Sequence, residues 1–166
     1  MLKPAAFLDR DGVINKDKKY LYKICDFEWI EGAKESIKYL NENGYLVFVV
    51  TNQSGIAKGY YNEKDVIALH DYINNELKNT NAYIDEFFIS PYHPDNTKEY
   101  LHLSHLRKPD IGMLELAESK WAIDRSKSFL IGDKNSDIEC AENFLIRGHL
   151  FENGNLLNFI KSSENL

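Results

Sequence analysis

The chain has 166 residues, 43% of them hydrophobic and 28% charged, and carries a net charge of −6. A single domain of that length buries roughly 70% of its unfolded surface, the composition leaves little room for long disordered tails, and the acidic balance argues against nucleic acid as a general partner. No apolar run is long enough to span a membrane, and Met1-Leu2-Lys3-Pro4 leads straight into an apolar strand instead of a secretory signal. These features predict one cytoplasmic, monomeric domain over residues 1–166, with Cys25 and Cys140 as buried, reduced thiols rather than a disulfide or zinc pair.

The first predicted element is a strand over Ala5 to Leu8, an unbroken apolar run of the kind covered on both faces in a parallel sheet. It empties into Asp9-Arg10-Asp11-Gly12. Lys16 to Ile30 is polar and aromatic without a period, which predicts an excursion over whatever lies at the strand's end. Apolar residues at Ala33, Ile37, Tyr39 and Leu40 ahead of Gly44 predict a helix over 32–43. Tyr45 to Val50 is a second buried strand, followed by the glycine-punctuated loop TNQSGIAKGY. Asn62 is placed to cap a helix over 63–78 whose core stripe is Val66, Leu69, Ile73 and Leu77. A third strand over 84–89 opens into an irregular stretch from Ser90 to Arg107, long enough to mark a functional or a disordered loop. Then come a helix over 110–121 entered through Pro109, a strand over 128–132 that delivers Asp133, and a helix over 135–144. A short strand over 146–151 and a terminal helix over 155–161 complete the chain. Strand followed by helix, without internal repeats, predicts an α/β fold: a doubly wound, Rossmann-like parallel sheet of about five strands.

In open α/β sheets ligands bind just beyond the carboxyl ends of the strands, so the polar residues at those positions are the candidates. Asp9 and Asp11 lie two apart on an extended segment and face one way. Their mutual repulsion calls for a cation, and an oxygen-rich pair of this kind suits Mg2+ with substrate phosphate completing its shell. Thr51 and Asn52 follow the second strand, Arg107 and Lys108 precede the helix at 110, and Asp133, Lys134 and Asp137 follow the strand at 128. Each alone has an ordinary reading: a strand-end cap, an edge hydroxyl, a solvated lysine, a first-turn acid. Gathered at one sheet edge they supply a carboxylate pair, a hydroxyl, a cation and a further carboxylate, which is what phosphate-ester chemistry needs.

Four strings, FLDRDGVIN, VVTNQSGIAKGY, LRKPDIGML and LIGDKNSDIECA, resemble in order the four motifs of the haloacid dehalogenase (HAD) superfamily of aspartate-nucleophile phosphatases, over residues 5 to about 143. Their extended forms are similar to the small histidinol-phosphate and heptose-bisphosphate phosphatases, and nearer to the latter. The resemblance implies a HAD fold without a large cap domain. It implies Asp9 as the nucleophile, Asp11 as acid and base, and Mg2+ held by Asp9, Asp133 and the main-chain carbonyl of Asp11. Thr51 and Lys108 would meet the phosphoryl oxygens, and Asp137 would orient Lys108 or the metal's waters. Asn52, Arg107, Lys134 and Arg10 would bind substrate, hold a second phosphate or shield charge at the rim. The implied substrate is a small phosphorylated sugar, a heptose 1,7-bisphosphate of a lipopolysaccharide or capsule precursor route, with histidinol phosphate or another small metabolite as the alternative.

Much of that subgroup carries zinc on cysteines and histidines in the loop after the third strand. Here that loop reads Ser90-Pro91-Tyr92-His93-Pro94 and Ser104-His105-Leu106, without sulfur. His93, His102 and His105 are weak substitutes for thiolates, so zinc is not expected, and packing by Tyr92, Tyr100, Leu101, Leu103 and Leu106 is expected to anchor the loop. A phospho-receiver or non-catalytic binding module is the rival class. A receiver needs an acceptor Asp after the third strand, where Ile89-Ser90-Pro91 stands instead.

Overall fold

The computed structural model of the chain describes residues 1–96 and 98–164. Strands β1 (Ala5–Leu8), β2 (Leu46–Asn52), β3 (Glu86–Ser90), β4 (Phe129–Gly132) and β5 (Arg147–Leu150) form one parallel sheet in the order β3-β2-β1-β4-β5. The helices are α1 (Ala33–Glu42), α2 (Glu63–Lys78), α3 (Gly112–Lys120), α4 (Asn135–Asn143) and α5 (Leu156–Glu164). No cap layer is inserted among the described residues, and none of their helices is long and apolar enough to cross a membrane.

Alternation along each strand builds two cores. Ala6 and Leu8 of β1, Val47 and Val49 of β2, and Phe129 and Ile131 of β4 pack on α1, α2 and α5 through Ile37, Leu69, Ile73 and Ile160. The intervening Phe7, Phe48, Val50 and Leu130 pack on α3 and α4 through Met113, Leu114, Ala117 and Ala141. Both faces are therefore apolar, which explains the unbroken runs in β1 and β2. Each fully buried Phe, Leu or Ile contributes roughly 1.5–3 kcal/mol. From β1 the chain winds outward to β3, then crosses back to β4 on the other side of β1. The resulting switch point lies between β1 and β4, and Asp9 and Asp133 stand at its two lips.

Several boundaries differ from the sequence reading. β2 runs on through Thr51 and Asn52 because their neighbours Ile89 and Ser90 continue the ladder. β3 begins at Glu86 rather than 84, since Ile84 N–H and C=O are taken by the side-chain amide of Asn74 at 2.9 and 3.1 Å. Pro109 sits in a turn closed by Asp110 N–H on Arg107 C=O at 2.9 Å, and α3 starts only at Gly112. The stretch from Ser90 to Arg107 contains 3-10 turns over Lys98–Leu106, with Leu106 buried, Leu103 against the α3 core and Tyr100 against Ile56, Tyr61 and Val66. Leu101 points away from this anchor, 54% exposed. Cys140 is buried and its thiol is pushed up to about 12 by burial, whereas Cys25, expected inside, is exposed on a short loop turn.

α2 begins with a reciprocal cap: the Asn62 side chain accepts from Asp65 N–H at 3.1 Å and the Asp65 carboxylate accepts from Asn62 N–H at 2.9 Å. Asn62→Ala is expected to lower the unfolding free energy by about 1 kcal/mol. A urea unfolding curve measures this, and an unchanged midpoint would show that the cap contributes nothing.

Candidate active site

β1 carries its ladder one residue further, with Asp9 N–H on Ile131 C=O at 2.9 Å, and then turns sharply. The Arg10 carbonyl accepts from Val13, Ile14 and Asn15 at 3.3, 2.8 and 3.1 Å. Gly12 makes that turn possible. Its φ is +87°, and a Cβ there would come within 2.4 Å of Asp133 Oδ2.

Lys108 lies at the centre, 3% exposed. Its Nζ donates to Asp9 Oδ1 at 2.9 Å, Asp137 Oδ1 at 2.5 Å and the Val50 carbonyl at 2.7 Å, one acceptor for each ammonium hydrogen. Burial alone would lower the lysine's pKa, but Asp9 and Asp137 outweigh it and the net shift is upward, so the ammonium stays charged. Asp9 is shifted upward as well, which in a carboxyl group disfavours the charged form. Burial pushes it up to about 7, Lys108 opposes, and Asp137 and Asp11 add to the rise. Without further positive charge, desolvation competes with ionisation of Asp9 at neutral pH.

The place for that charge is evident from the acids. Asp9, Asp133 and Asp137 each offer an oxygen within 4.8 Å of the others. Asp133 Oδ1 is buried without a hydrogen-bond partner, and burial raises its pKa. Asp137 has both oxygens engaged, by Lys108 and by Lys134 N–H at 3.1 Å. Asp9 and Asp133 are therefore the side chains best placed to hold a hard cation such as Mg2+, while Asp137 orients Lys108. His93, His102 and His105 form no such group among the described residues.

Asp11 stands at the mouth of the cleft, held from behind. Arg10 Nη2 donates to both its oxygens at 3.0 and 3.1 Å, Asn15 Nδ2 to Oδ1 at 2.9 Å, and Gln53 Nε2 to Oδ2 at 2.9 Å. Arg10 itself is fully buried, with further bonds to the Leu21 carbonyl at 2.7 Å and to His70 Nε2 at 3.4 Å. It is not at the rim and cannot reach a substrate phosphate: its guanidinium lies behind Asp11, held by that carboxylate, Leu21 and His70.

Asn52 is also redirected. Its amide pairs with the Lys108 backbone at 3.0 and 3.1 Å, pinning the crossover loop to the end of β2, though it still lines the cleft. The Thr51 hydroxyl is 1% exposed, accepts from Gln53 at 2.8 Å and lines neither cleft. Arg107 and Lys134 do line the cleft of about 340 Å3 that holds Asp9, Asp11 and Lys108. A second cleft of about 460 Å3, bounded by Lys19, Tyr20, Gln53 and Tyr61, shares Asp11, Asn52, Ser54 and Lys134 with the first. Sequence reasoning missed Gln53, Ser54, Tyr61, Asn15 and His70. Only Gln53 and Ser54 carried a signal, as polar residues directly after β2.

This fold and site define a phosphatase of the HAD superfamily. The profile described as "Polynucleotide kinase 3 phosphatase" matches residues 5–149, and the chain belongs to that family. Among named relatives, D-glycero-alpha-D-manno-heptose-1,7-bisphosphate 7-phosphatase of Photorhabdus laumondii is 46% identical over 138 residues, 82% of this chain and 75% of that one. The beta-anomer counterpart of Rhodopseudomonas palustris is 43% identical over 161 residues, 96% of this chain and 89% of that one. The crystal structure of D,D-heptose 1,7-bisphosphate phosphatase from B. bronchiseptica complexed with magnesium and phosphate superposes with a TM-score of 0.78 at 27% identity, covering 96% of this chain and 86% of that one.

His70 supports Arg10 from the rear, stacked on Phe87 with ring centroids 4.3 Å apart. Because arginine only donates, Nε2 must accept and the ring is neutral. Burial, then the Arg10 charge, hold its pKa well below 6.5. The unfolded chain therefore binds the extra proton first, and stability is lost as pH falls below the unfolded value, with a limiting slope of about 1.4 kcal/mol per pH unit. His70→Gln should flatten the fall in stability between pH 7 and pH 5, measured by urea unfolding. Parallel pH profiles for the two proteins would contradict this.

Proposed function

We propose that the protein hydrolyses one phosphate from a sugar bisphosphate, a heptose 1,7-bisphosphate, in two displacements through an aspartyl phosphate on Asp9. The observation that carries this reading is the buried, unpartnered Asp133 oxygen beside Asp9 and the Lys108 ammonium, a set of charges arranged for an anion and a hard cation together. The names and sequences of the relatives support the substrate class.

The Asp9 carboxylate attacks phosphorus, and the ester P–O bond breaks with its electron pair passing to the sugar oxygen, which takes a proton from Asp11. A water then attacks the aspartyl phosphate, giving its proton to Asp11 and releasing phosphate and the free Asp9 carboxylate. Mg2+, held by Asp9, Asp133 and the main-chain carbonyl of Asp11, would supply the positive charge that neutralises the phosphoryl oxygens. Lys108 exchanges one of its three acceptors for a phosphoryl oxygen. Arg107 and Lys134 flank the same cleft and hold the second phosphate, the arginine fork in fixed orientation.

Phosphate release in the presence of Mg2+ is expected to be lost by several orders of magnitude in Asp9→Asn, with the fold retained. A folded Asn variant keeping most of its turnover would remove Asp9 as the nucleophile. Sugar bisphosphates of both anomers are expected to exceed the matching monophosphate and histidinol phosphate in kcat/KM, and Arg107→Ala to narrow that margin more than it slows p-nitrophenyl phosphate. Equal kcat/KM for mono- and bisphosphates in the unaltered protein would move a monoester to the front. Zinc has no part in this reading; metal analysis finding one zinc per chain, lost in His93→Ala or His105→Ala, would reverse it.

A further inference from the structure

One side chain behind the cleft ties Asp11 to the end of β2. Gln53 is 2% exposed, and its Nε2 lies 2.9 Å from Asp11 Oδ2 and 2.8 Å from Thr51 Oγ1, while its Oε1 accepts from the Tyr61 hydroxyl at 2.6 Å. A side-chain amide can sit either way round, and its partners decide. Here the reverse orientation would set Oε1 against a carboxylate and forfeit the Tyr61 bond as drawn. Tyr61 is itself immobilised, stacked on Tyr22 with ring centroids 5.0 Å apart. It fills space that only a glycine at 55 leaves open, since a Cβ there would lie 2.2 Å from the Tyr61 ring. Burial pushes its phenol up to about 12, so it remains a donor at any working pH.

We propose that Tyr61 and Gln53 are positioning residues forming a one-way relay: the Tyr61 hydroxyl orients the Gln53 amide, and that amide aims the Asp11 carboxyl group at the leaving oxygen. The same amide donates to Thr51 Oγ1, which ties the relay to the end of β2. Tyr61 and Gln53 also line the larger cleft, which adjoins Asp11 on the side away from Lys108, so a leaving group occupying that cleft packs against the relay itself. This inference rests on the reading of Asp11 as the group that protonates the leaving oxygen.

The leaving group is the handle for the test, because assistance from an acid matters most when the departing oxygen is strongly basic. The measurement is kcat/KM, which reports the first displacement, for 2,4-dinitrophenyl, p-nitrophenyl and phenyl phosphate with Mg2+. Tyr61→Phe keeps the ring and removes the hydroxyl. Its loss is expected to be slight on the dinitrophenyl ester and to grow to roughly tenfold or more on phenyl phosphate, a modest share of what acid catalysis contributes. Gln53→Met, which fills the space without a donor, should reproduce that dependence, and thermal unfolding checks that both variants are folded. An equal loss on all three esters, or none on phenyl phosphate, would overturn the relay. Asp11→Asn separates the two readings. A steep dependence in Asp11→Asn with a flat one in Tyr61→Phe rejects the relay alone, whereas a flat Asp11→Asn series rejects the acid role of Asp11 and the relay with it.

Discussion

Three acceptors around the Lys108 ammonium set the charge balance on which the rest of the site depends. Asp9 and Asp137 are both nearly inaccessible, and two buried carboxylates facing one another would protonate or force water into the core without a cation between them. Desolvating the lysine is costly as well, and the third bond, to the Val50 carbonyl, satisfies its last hydrogen. Removing Lys108 leaves two buried carboxylates without their cation, a defect worth about 3–5 kcal/mol. Packing enforces the arrangement: a Cβ on Gly132 would fall 2.1 Å from Asp137 atoms, so Gly132 lets α4 start hard against the end of β4.

Topology brings these groups together from distant parts of the chain. Asp9 leaves β1 and Asp133 leaves β4, the two strands flanking the switch point. Lys108 arrives on the crossover from β3 to β4, which must pass over the end of β2. There the Asn52 amide grips the Lys108 backbone through both its oxygen and its nitrogen, converting a long connection into a fixed one. Leu103 and Leu106 seat the preceding segment on the α3 core and Tyr100 on the Tyr61 side, so the loop is anchored by apolar burial.

Residues whose chemistry follows from strand-end position were legible in the sequence: Asp9 and Asp133 come together because parallel strands end at one edge, and Asp9 and Asp11 share a cleft with Lys108, which arrives on a connection. The element pattern was legible for a related reason, as strands covered on both faces leave unbroken apolar runs. Arg10 was misread because a charged residue between two acids suggests an exposed rim, whereas the turn after β1 buries it where Asp11, Leu21 and His70 receive it. Asn52 lines the cleft as its strand-end position suggested, but its bonds to the Lys108 backbone over 50 residues away are a relation no local pattern reports. Tyr61 and His70 lie on or beside α2, where a tyrosine ahead of a cap and a histidine within a helix are ordinary residues. Only the folding of α2 against β2 gives them catalytic neighbours.

An overall charge of −6 repels a doubly charged phosphate ester, yet charges farther apart than about 8 Å are largely screened at physiological ionic strength. Capture therefore depends on what lies at the cleft itself. Lys108 sits deepest and is neutralised by its acids, so the cations that meet an incoming anion first are Lys134, shared by both clefts, Arg107 on the smaller cleft and Lys19 on the larger. Lys134 follows Asp133 directly and caps α4, which ties its backbone to the acid that faces the cation site. Arg107 precedes Lys108 directly, and its Nη1 on the Tyr92 carbonyl at 3.1 Å fixes the guanidinium relative to the loop. Arg107 and Lys134 are thus each the chain neighbour of an inner group, so under the proposed function a displacement that spoils the grip on one phosphate would also shift the centre acting on the other. On that reading binding and chemistry would be coupled by covalent adjacency, with no cap layer among the described residues to close over them.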